Sequence, residues 1–487
     1  MKPYFVEKIR NYVGGEWTAS TATRYVPITN PATGAKMGSV PDGTAADVDA
    51  AVRAARAAFP AWRDVPVSTR ARYLIELRNL MERHYDELLS ICTQEHGKTL
   101  DESKGDVRRG IENVETAIGM PQLMMGTALE QIATGIDCVS YRQPMGVFAI
   151  IAPYNFPSMV PLWFLPYAIA SGNTVVVKPS EQVPFSQLRL FELIEKIGLP
   201  PGVVNTVNGG RDIVNAILEH KDIAGVSFVG SSPVAQHVYN RCGATGKRAQ
   251  ALGGAKNFGA VMDDCDWERS LANIVDSAMG CAGQRCLATS VVIGVGPAYE
   301  KLVSGLTEAM KKVKVGYGLD EGVTMGPVIS AKHKEKIVSY IDRGVKEGAR
   351  LVVDGRGFKV DAYPNGHFVG PTLFADVTPD MVIGKEEIFG PVLCVMRAKT
   401  IDDAIAMVNA HPLANASSIY TSNGSHARKW CKEIDASMVG VNIGVAAPMA
   451  YFGFGGAKGS FFGDLKAHGK DSVSFYTQNK TSIQRWW

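Results

Sequence analysis

Short apolar, β-branched runs recur along the chain at 147–152, 174–177, 203–207, 226–229, 290–295, 351–353 and 393–396, and they read as strands. Helical patterns lie between them. Thr44 with Asp47 three residues on makes an N-terminal capping signal, and Val48, Val52, Ala55 and Phe59 follow at helical spacing until Pro60, which predicts the helix end. A second helix is predicted from a capping Ser186 through Leu190, Phe191, Ile194 and Ile197, stopped by Gly198 and two prolines. Strand and helix in alternation give an α/β class with largely parallel sheets. At 487 residues the chain exceeds what one core usually supports, so two or three domains are expected, although no linker or low-complexity tract marks their boundaries.

The charge pattern narrows the class of function. The net charge is only +3 and no basic run is present, which argues against nucleic-acid binding. The apolar region 145–177 is broken by Pro153, Pro157, Pro161 and Pro166, and no signal-like segment opens the chain, so a soluble protein that spans no membrane is expected. Eight cysteines (Cys92, Cys138, Cys242, Cys265, Cys281, Cys286, Cys394 and Cys431) form no CxxC pair and no zinc spacing. A reducing, cytoplasmic setting and no metal site follow as expectations.

The stretch Gly280-Cys281-Ala282-Gly283-Gln284-Arg285-Cys286-Leu287 holds the chemistry. A thiolate is the nucleophile of cysteine chemistry, and a neighbouring cation lowers its pKa. Cys286 has Arg285 beside it and glycines that let a substrate approach; Cys281 fits no metal spacing and is read as a packing residue. By itself an isolated cysteine is more often a small buried hydrophobe than a catalyst.

Motif context changes that balance. APYNFP at 152–157, KPSEQVP at 178–184, GLPPGVVN at 198–205, SFVGSS at 227–232, GQRC at 283–286 and EEIFGPV at 386–392 occur in order. With them the chain resembles the aldehyde dehydrogenase superfamily over nearly its whole length. The resemblance implies an aldehyde dehydrogenase-like α/β fold: a Rossmann-like NAD-binding domain over 1–121 and 145–253, an α/β catalytic domain over 254–453, and a small β oligomerisation arm from 122–144 and 471–487. It also implies a homodimer or homotetramer. Cys286 matches the nucleophile that attacks the aldehyde carbonyl. Asn155 matches the amide that, with the Cys286 N–H, forms the oxyanion hole, where a preorganised donor contributes about 3 kcal/mol. For the cofactor, Lys178 and Glu181 match the adenosine-ribose contacts and Glu387 the nicotinamide-ribose contact. Gly230 and Ser231 match the pyrophosphate contact at a helix start. Phe156 and Phe389 are placed on the cofactor side, while Phe452 and Phe454 are candidate pocket walls. Glu181 beside the ribose hydroxyls favours NAD over NADP. Ala235 stands where a second glycine is usual.

A second departure bears on the reaction. Hydrolytic members carry a glutamate in ELGGK, whereas this chain reads Gln250-Ala251-Leu252-Gly253-Gly254-Ala255-Lys256-Asn257, so that Leu252 or Ala251 stands at the glutamate position. Without a positioned base, water loses roughly 10² to 10⁴ in rate against a thioester. Coenzyme A carries its own thiolate fraction and needs less help. GAKN at 254–257, LMMG at 123–126, IENVE at 111–115 and the tail GKDSVSFYTQNKT at 469–481 resemble the CoA-acylating methylmalonate-semialdehyde (malonate-semialdehyde) dehydrogenases. For that subfamily the resemblance implies two arginines on the substrate carboxylate, matching Arg109 and Arg285, with Arg108 left to the surface. A guanidinium can hold a carboxylate bidentately. The implied products are propionyl-CoA or acetyl-CoA, after loss of the carboxylate. Two alternatives are a hydrolytic NAD(P)-dependent enzyme that recruits a base from elsewhere and a catalytically silent binding protein on the same fold. The nine scattered histidines suggest no catalytic role, and Glu386, adjacent to Glu387, points elsewhere.

Overall fold

The computed structural model describes residues 3–487. Two large sheets and one small one organise it. The first has the strand order Glu16–Thr18, Asn11–Val13, Val204–Thr206, Thr174–Lys178, Val147–Ile151, Ile223–Val229, Arg248–Leu252, Phe461–Phe462. Its central pairings are parallel. Every residue of Val147–Ile151 is buried. Val147, Ala149 and Ile151 join one core cluster, and Phe148 and Ile150 another, so the alternation of a strand feeds two cores because helices cover both faces.

The strand Val147–Ile151 lies between Thr174–Lys178 and Ile223–Val229. The chain first builds outward to one side of this strand and then returns to the other. A crevice therefore opens beyond the carboxyl ends of the strands, the usual ligand position in such sheets. Asn155, Lys178, Gly230 and Ser231 all sit on that rim.

The second sheet has the order Arg350–Val353, Thr372–Ala375, Val392–Ala398, Thr289–Val295, Asn257–Val261, Ala416–Tyr420, Met438–Val441, and all but its first pairing are parallel. A third, antiparallel sheet joins Thr127–Ala133, Ile136–Pro144 and Thr477–Arg485. It stands out from the body with Leu129, Ile483 and Trp486 exposed. Residues 471–476, expected with the arm, instead belong to the helix Gly469–Tyr476, whose Val473, Phe475 and Tyr476 are buried in a core of the first sheet.

Two helix ends differ from the sequence expectation. The Thr44–Asp47 capping box forms, but the helix Ala45–Arg63 runs through Pro60. Trp62 is buried and its indole N–H donates to the Ile169 carbonyl at 3.0 Å, which holds the final turn where proline removes an intrahelical bond. The helix Phe185–Lys196 starts one residue before Ser186, with no side-chain cap of its own. Its first N–H groups, on Phe185 and Ser186, donate to the distant Glu95 carboxylate at 2.7 and 2.9 Å. Among the described residues no helix is long and apolar enough to cross a membrane.

Candidate active site

The Cys286 loop joins the helix Trp267–Met279 to the strand Thr289–Val295. Cys281, Ala282 and Gly283 all adopt left-handed backbone, with φ of 50°, 50° and 71°. A Cβ at Gly283 would strike the Gly390 carbonyl, so only glycine fits that position. Asn257 and Asn415 both donate to the Cys286 carbonyl, at 2.9 and 2.8 Å. Gln284, fully buried, donates to the Cys281 carbonyl and accepts from the Ile329 N–H. The loop is thus fixed by side chains from two distant segments and by the backbone of a third.

Asn155 follows the end of Val147–Ile151 and lies beneath this loop, its amide donating to the Gln284 carbonyl at 3.1 Å. Its own carbonyl accepts from Lys98 Nζ at 2.8 Å. The same ammonium pairs with Asp106 at 2.8 Å, both side chains being fully buried, and sits 3.9 Å from the centre of the Phe156 ring. The other Asp106 oxygen accepts from the Met159 N–H at 2.7 Å. One buried ion pair therefore clamps the loop from Asn155 to Met159.

Arg285 does not act as its position in the sequence suggests. Its Nε donates to Cys281 Sγ at 3.4 Å and its Nη2 to Glu102 at 3.3 Å. Glu102 uses its second oxygen for the capping box with Thr99 at the start of the helix Leu100–Ile118, and the first also accepts from the Cys281 N–H. A Cβ at Gly280 would strike the Arg285 guanidinium. The Cys286 thiol is pushed up to about 12, by burial first and by the Glu387 carboxylate second; its own N–H and the Arg285 cation work weakly against them. Arg285 does lower the Cys286 pKa, as expected, but burial and Glu387 outweigh it, and the net shift is upward, against the expectation; the guanidinium itself is engaged by Cys281 and Glu102. Cys281 is buried, as read from the sequence, but it also anchors that cation.

A cavity of about 560 Å³ opens above Cys286, and Phe156, Arg109, Arg285, Phe454 and His468 line it. Arg109 reaches it from the helix Leu100–Ile118, bonded to Glu112 at 3.0 Å and to Met449 Sδ at 2.8 Å. Arg108 turns away into an ion pair with Glu82 at the surface. Phe156, placed on the cofactor side by sequence, faces this cavity. Phe452 is 67% exposed and is no wall.

On the crevice side Lys178, nearly buried, pairs with Glu181 at 2.8 Å. Ser231 caps the helix Ser232–Ala244 without a side-chain bond, leaving the first-turn N–H groups for an anion. Gly230 is required there, since a Cβ would meet the Phe228 ring at 2.5 Å. Ala235 directs its methyl into the core with Phe228 and Val238, so the absent glycine costs the crevice nothing. Glu387 accepts from the Ala255 N–H at 2.9 Å, and burial raises its pKa despite that bond. A Cβ at Gly254 would strike its other oxygen. Phe389 holds a left-handed φ of 59°, and its ring lies edge-on to Tyr154 at 6.0 Å. Leu252 closes its strand, buried in one cluster with Leu287 and Phe454. The groups on this rim suit a dinucleotide: free helix N–H donors for phosphates and Lys178 with Glu181 for a ribose.

The model of the aldehyde dehydrogenase family matches residues 17–482. The chain belongs to the aldehyde dehydrogenase family. It is 50% identical over 481 residues to malonate-semialdehyde dehydrogenase 2 of Geobacillus kaustophilus, with 99% of each chain covered. It is 49% identical over 480 residues to malonate-semialdehyde dehydrogenase of Halalkalibacterium halodurans, again with 99% of each covered. Among solved structures, methylmalonate-semialdehyde dehydrogenase of Oceanimonas doudoroffii superposes with a TM-score of 0.97 at 45% identity, with 99% of both chains covered. A Sinorhizobium meliloti protein assigned as a methylmalonate-semialdehyde dehydrogenase, solved in complex with NAD, gives 0.97 at 44% identity over 100% of this chain and 99% of that one.

Within this aldehyde dehydrogenase fold Cys286, Arg109 and Arg285 line one cavity with Asn155 bonded to the Cys286 loop, while Lys178, Glu181, Gly230 and Ser231 gather at the crevice. Sequence reasoning missed Lys98, Asp106, Glu102, Asn257, Asn415 and His468. Only Thr99 with Glu102, at capping-box spacing, carried a local signal.

Proposed function

We propose that this aldehyde dehydrogenase oxidises malonate semialdehyde or methylmalonate semialdehyde and delivers the shortened acyl group to coenzyme A. The observation that carries the reading is that the Cys286 thiol and the Arg109 guanidinium face one cavity. Arg109 takes the substrate carboxylate and brings the aldehyde carbon to Cys286. Cys286 gives up its thiol proton to solvent in the open cavity, its sulfur adds to the carbonyl, and the Asn155 amide, with a second N–H beyond the one on Gln284, steadies the oxyanion. NAD, held by Lys178, Glu181, Ser231 and Glu387, supplies the hydride acceptor. Loss of hydride leaves a thioester on Cys286. The carboxylate then departs as carbon dioxide, the remaining carbanion takes a proton, and the coenzyme A thiolate displaces Cys286 to give acetyl-CoA or propionyl-CoA.

Ala251 and Leu252, both apolar and buried, support acyl transfer to a thiol rather than to water. One observation favours the hydrolytic alternative: Glu387 stands close enough to raise the Cys286 pKa. That carboxylate is held by the Ala255 N–H, which supports a fixed binding role over that of a mobile base. The enzyme is proposed to assemble as a dimer or tetramer through its exposed three-stranded sheet, in the cytoplasm, where its eight free cysteines stay reduced.

Chromatography of the products from malonate semialdehyde, NAD and coenzyme A tests the proposal. Acetyl-CoA is expected; free acid formed equally fast without coenzyme A would contradict it.

A further inference from the structure

His468 stands at the start of the helix Gly469–Tyr476 in a left-handed conformation, φ 74°, which side-chain-bearing residues seldom adopt. The backbone is held there from both sides. Phe454 and Ala467 exchange N–H to carbonyl bonds at 2.7 and 3.0 Å, Gly469 N–H donates to the Ala450 carbonyl at 3.1 Å, and Ser472 N–H donates to the carbonyl of His468 itself at 3.1 Å. Such strain persists only where the surroundings over-determine it, and it gathers at functional positions.

The side chain is only 3% exposed. Its ring lies edge-on to Trp163 at 5.0 Å and tilted against Phe454 at 5.5 Å. Neither ring nitrogen has a hydrogen-bond partner, so exchanging the two by a ring flip changes nothing. Buried polar groups are normally paired, and a lone one is an exception that asks for a reason. The reason lies in the same wall: His468 lines the cavity shared by Arg109 and Cys286.

Burial, and then the Arg109 charge, hold the imidazole pKa down to about 3, so the ring is neutral at working pH. A neutral imidazole always keeps one N–H donor. Next to a guanidinium that donor suits an oxygen bearing negative charge, since a carboxylate has two oxygens and Arg109 already gives part of its guanidinium to Glu112 and Met449.

We infer that His468 is a specificity-determining residue whose ring N–H binds the carboxylate of the aldehyde substrate alongside Arg109. This rests on the proposed acidic-aldehyde reading of the cavity. The opposing interpretation makes the ring a filler between Trp163 and Phe454, and the two differ in what a nonpolar ring would do.

Steady-state kinetics of wild type, His468→Phe and His468→Asn, with malonate semialdehyde and with propanal at saturating NAD and coenzyme A, separate them. Phenylalanine keeps the ring packing and removes the donor; asparagine restores a donor. The inference expects His468→Phe to raise KM for malonate semialdehyde about 10- to 100-fold, the loss of one bond to a charged group. It expects propanal kinetics to be unchanged, which also shows that the variant folds, and His468→Asn to recover most of the loss. A phenylalanine variant that affects both aldehydes equally, or neither, overturns the inference alone. A wild type that does not prefer the acidic aldehyde overturns it together with the reading beneath it.

Discussion

The guanidinium of Arg285 lies against Cys281, 3.4 Å from its sulfur, and not against the adjacent Cys286. Its other contact, Glu102, ties it to the start of the helix that carries Arg109. One cation thereby links the Cys286 loop to the wall proposed to receive the substrate carboxylate, and Cys286 is left in a site governed by burial and Glu387.

The first consequence concerns pH. Because the thiol is pushed up to about 12, its reactive anion is scarce at neutrality and grows as pH rises. Iodoacetamide labelling of Cys286 should therefore still climb at about pH 10, where an ordinary thiol near 8.5 has reached its plateau. Glu387→Gln removes a charge that opposes the thiolate and should speed labelling at pH 8 by roughly 3- to 10-fold. A labelling profile that levels off below pH 8 would show a site that stabilises the anion.

Arg285→Ala tests the assignment of that cation. It leaves Glu102 buried beside Cys281 without its partner, and about 3 kcal/mol of stability should be lost in urea unfolding. The Cys286 labelling profile should move less than in Glu387→Gln, and in the opposite direction. A large drop in labelling with unchanged stability would place the guanidinium on Cys286 after all.

Lys98 and Asp106 are both fully buried, and Lys98 also holds the Asn155 carbonyl. Lys98→Met strands a carboxylate in the core and should cost about 3–5 kcal/mol, measured by denaturant unfolding. The double variant Lys98→Met, Asp106→Leu should recover much of that stability while kcat stays low, because Asn155 has lost its clamp. Full recovery of kcat would confine the pair to a structural role.

Ala251→Glu and, separately, Leu252→Glu place a carboxylate at the two positions that match the glutamate of the hydrolytic motif. Free acid should then appear as a product in competition with the coenzyme A thioester, at some cost in stability for the buried charge. Quantifying both products by mass spectrometry checks this; if both variants fold and still make only thioester, the side chains at 251 and 252 do not decide the acceptor.

What could be read from the sequence was local. Val147–Ile151 and Thr174–Lys178 are short β-branched runs buried on both sides, so composition alone marks them. Cys286 and Asn155 could be singled out because each sits in a run of distinctive neighbours, and the structure brings Asn155 against the Cys286 loop. Other features depend on partners far along the chain. Glu95 caps a helix 90 residues later, Trp62 holds the turn beyond Pro60 through a carbonyl 107 residues on, and Lys98 reaches Asn155 across 57 residues. The direction of Arg285 was misjudged for the same reason, since adjacency suggested Cys286 while the left-handed turn at Cys281 and Ala282 brings the earlier sulfur beneath the guanidinium. His468 carried no pattern, because its meaning comes from Arg109, more than 300 residues earlier in the sequence.

The central claim is that an acyl group on Cys286 awaits a thiol and not water. Mixing enzyme with malonate semialdehyde and NAD, with coenzyme A withheld, and following NADH together with the intact mass of the protein tests it most directly. The account predicts one NADH per site, an acylated Cys286 that persists, and renewed turnover to acetyl-CoA when coenzyme A is added. Continuous NADH formation without coenzyme A, with unmodified protein and free acid accumulating, would contradict it.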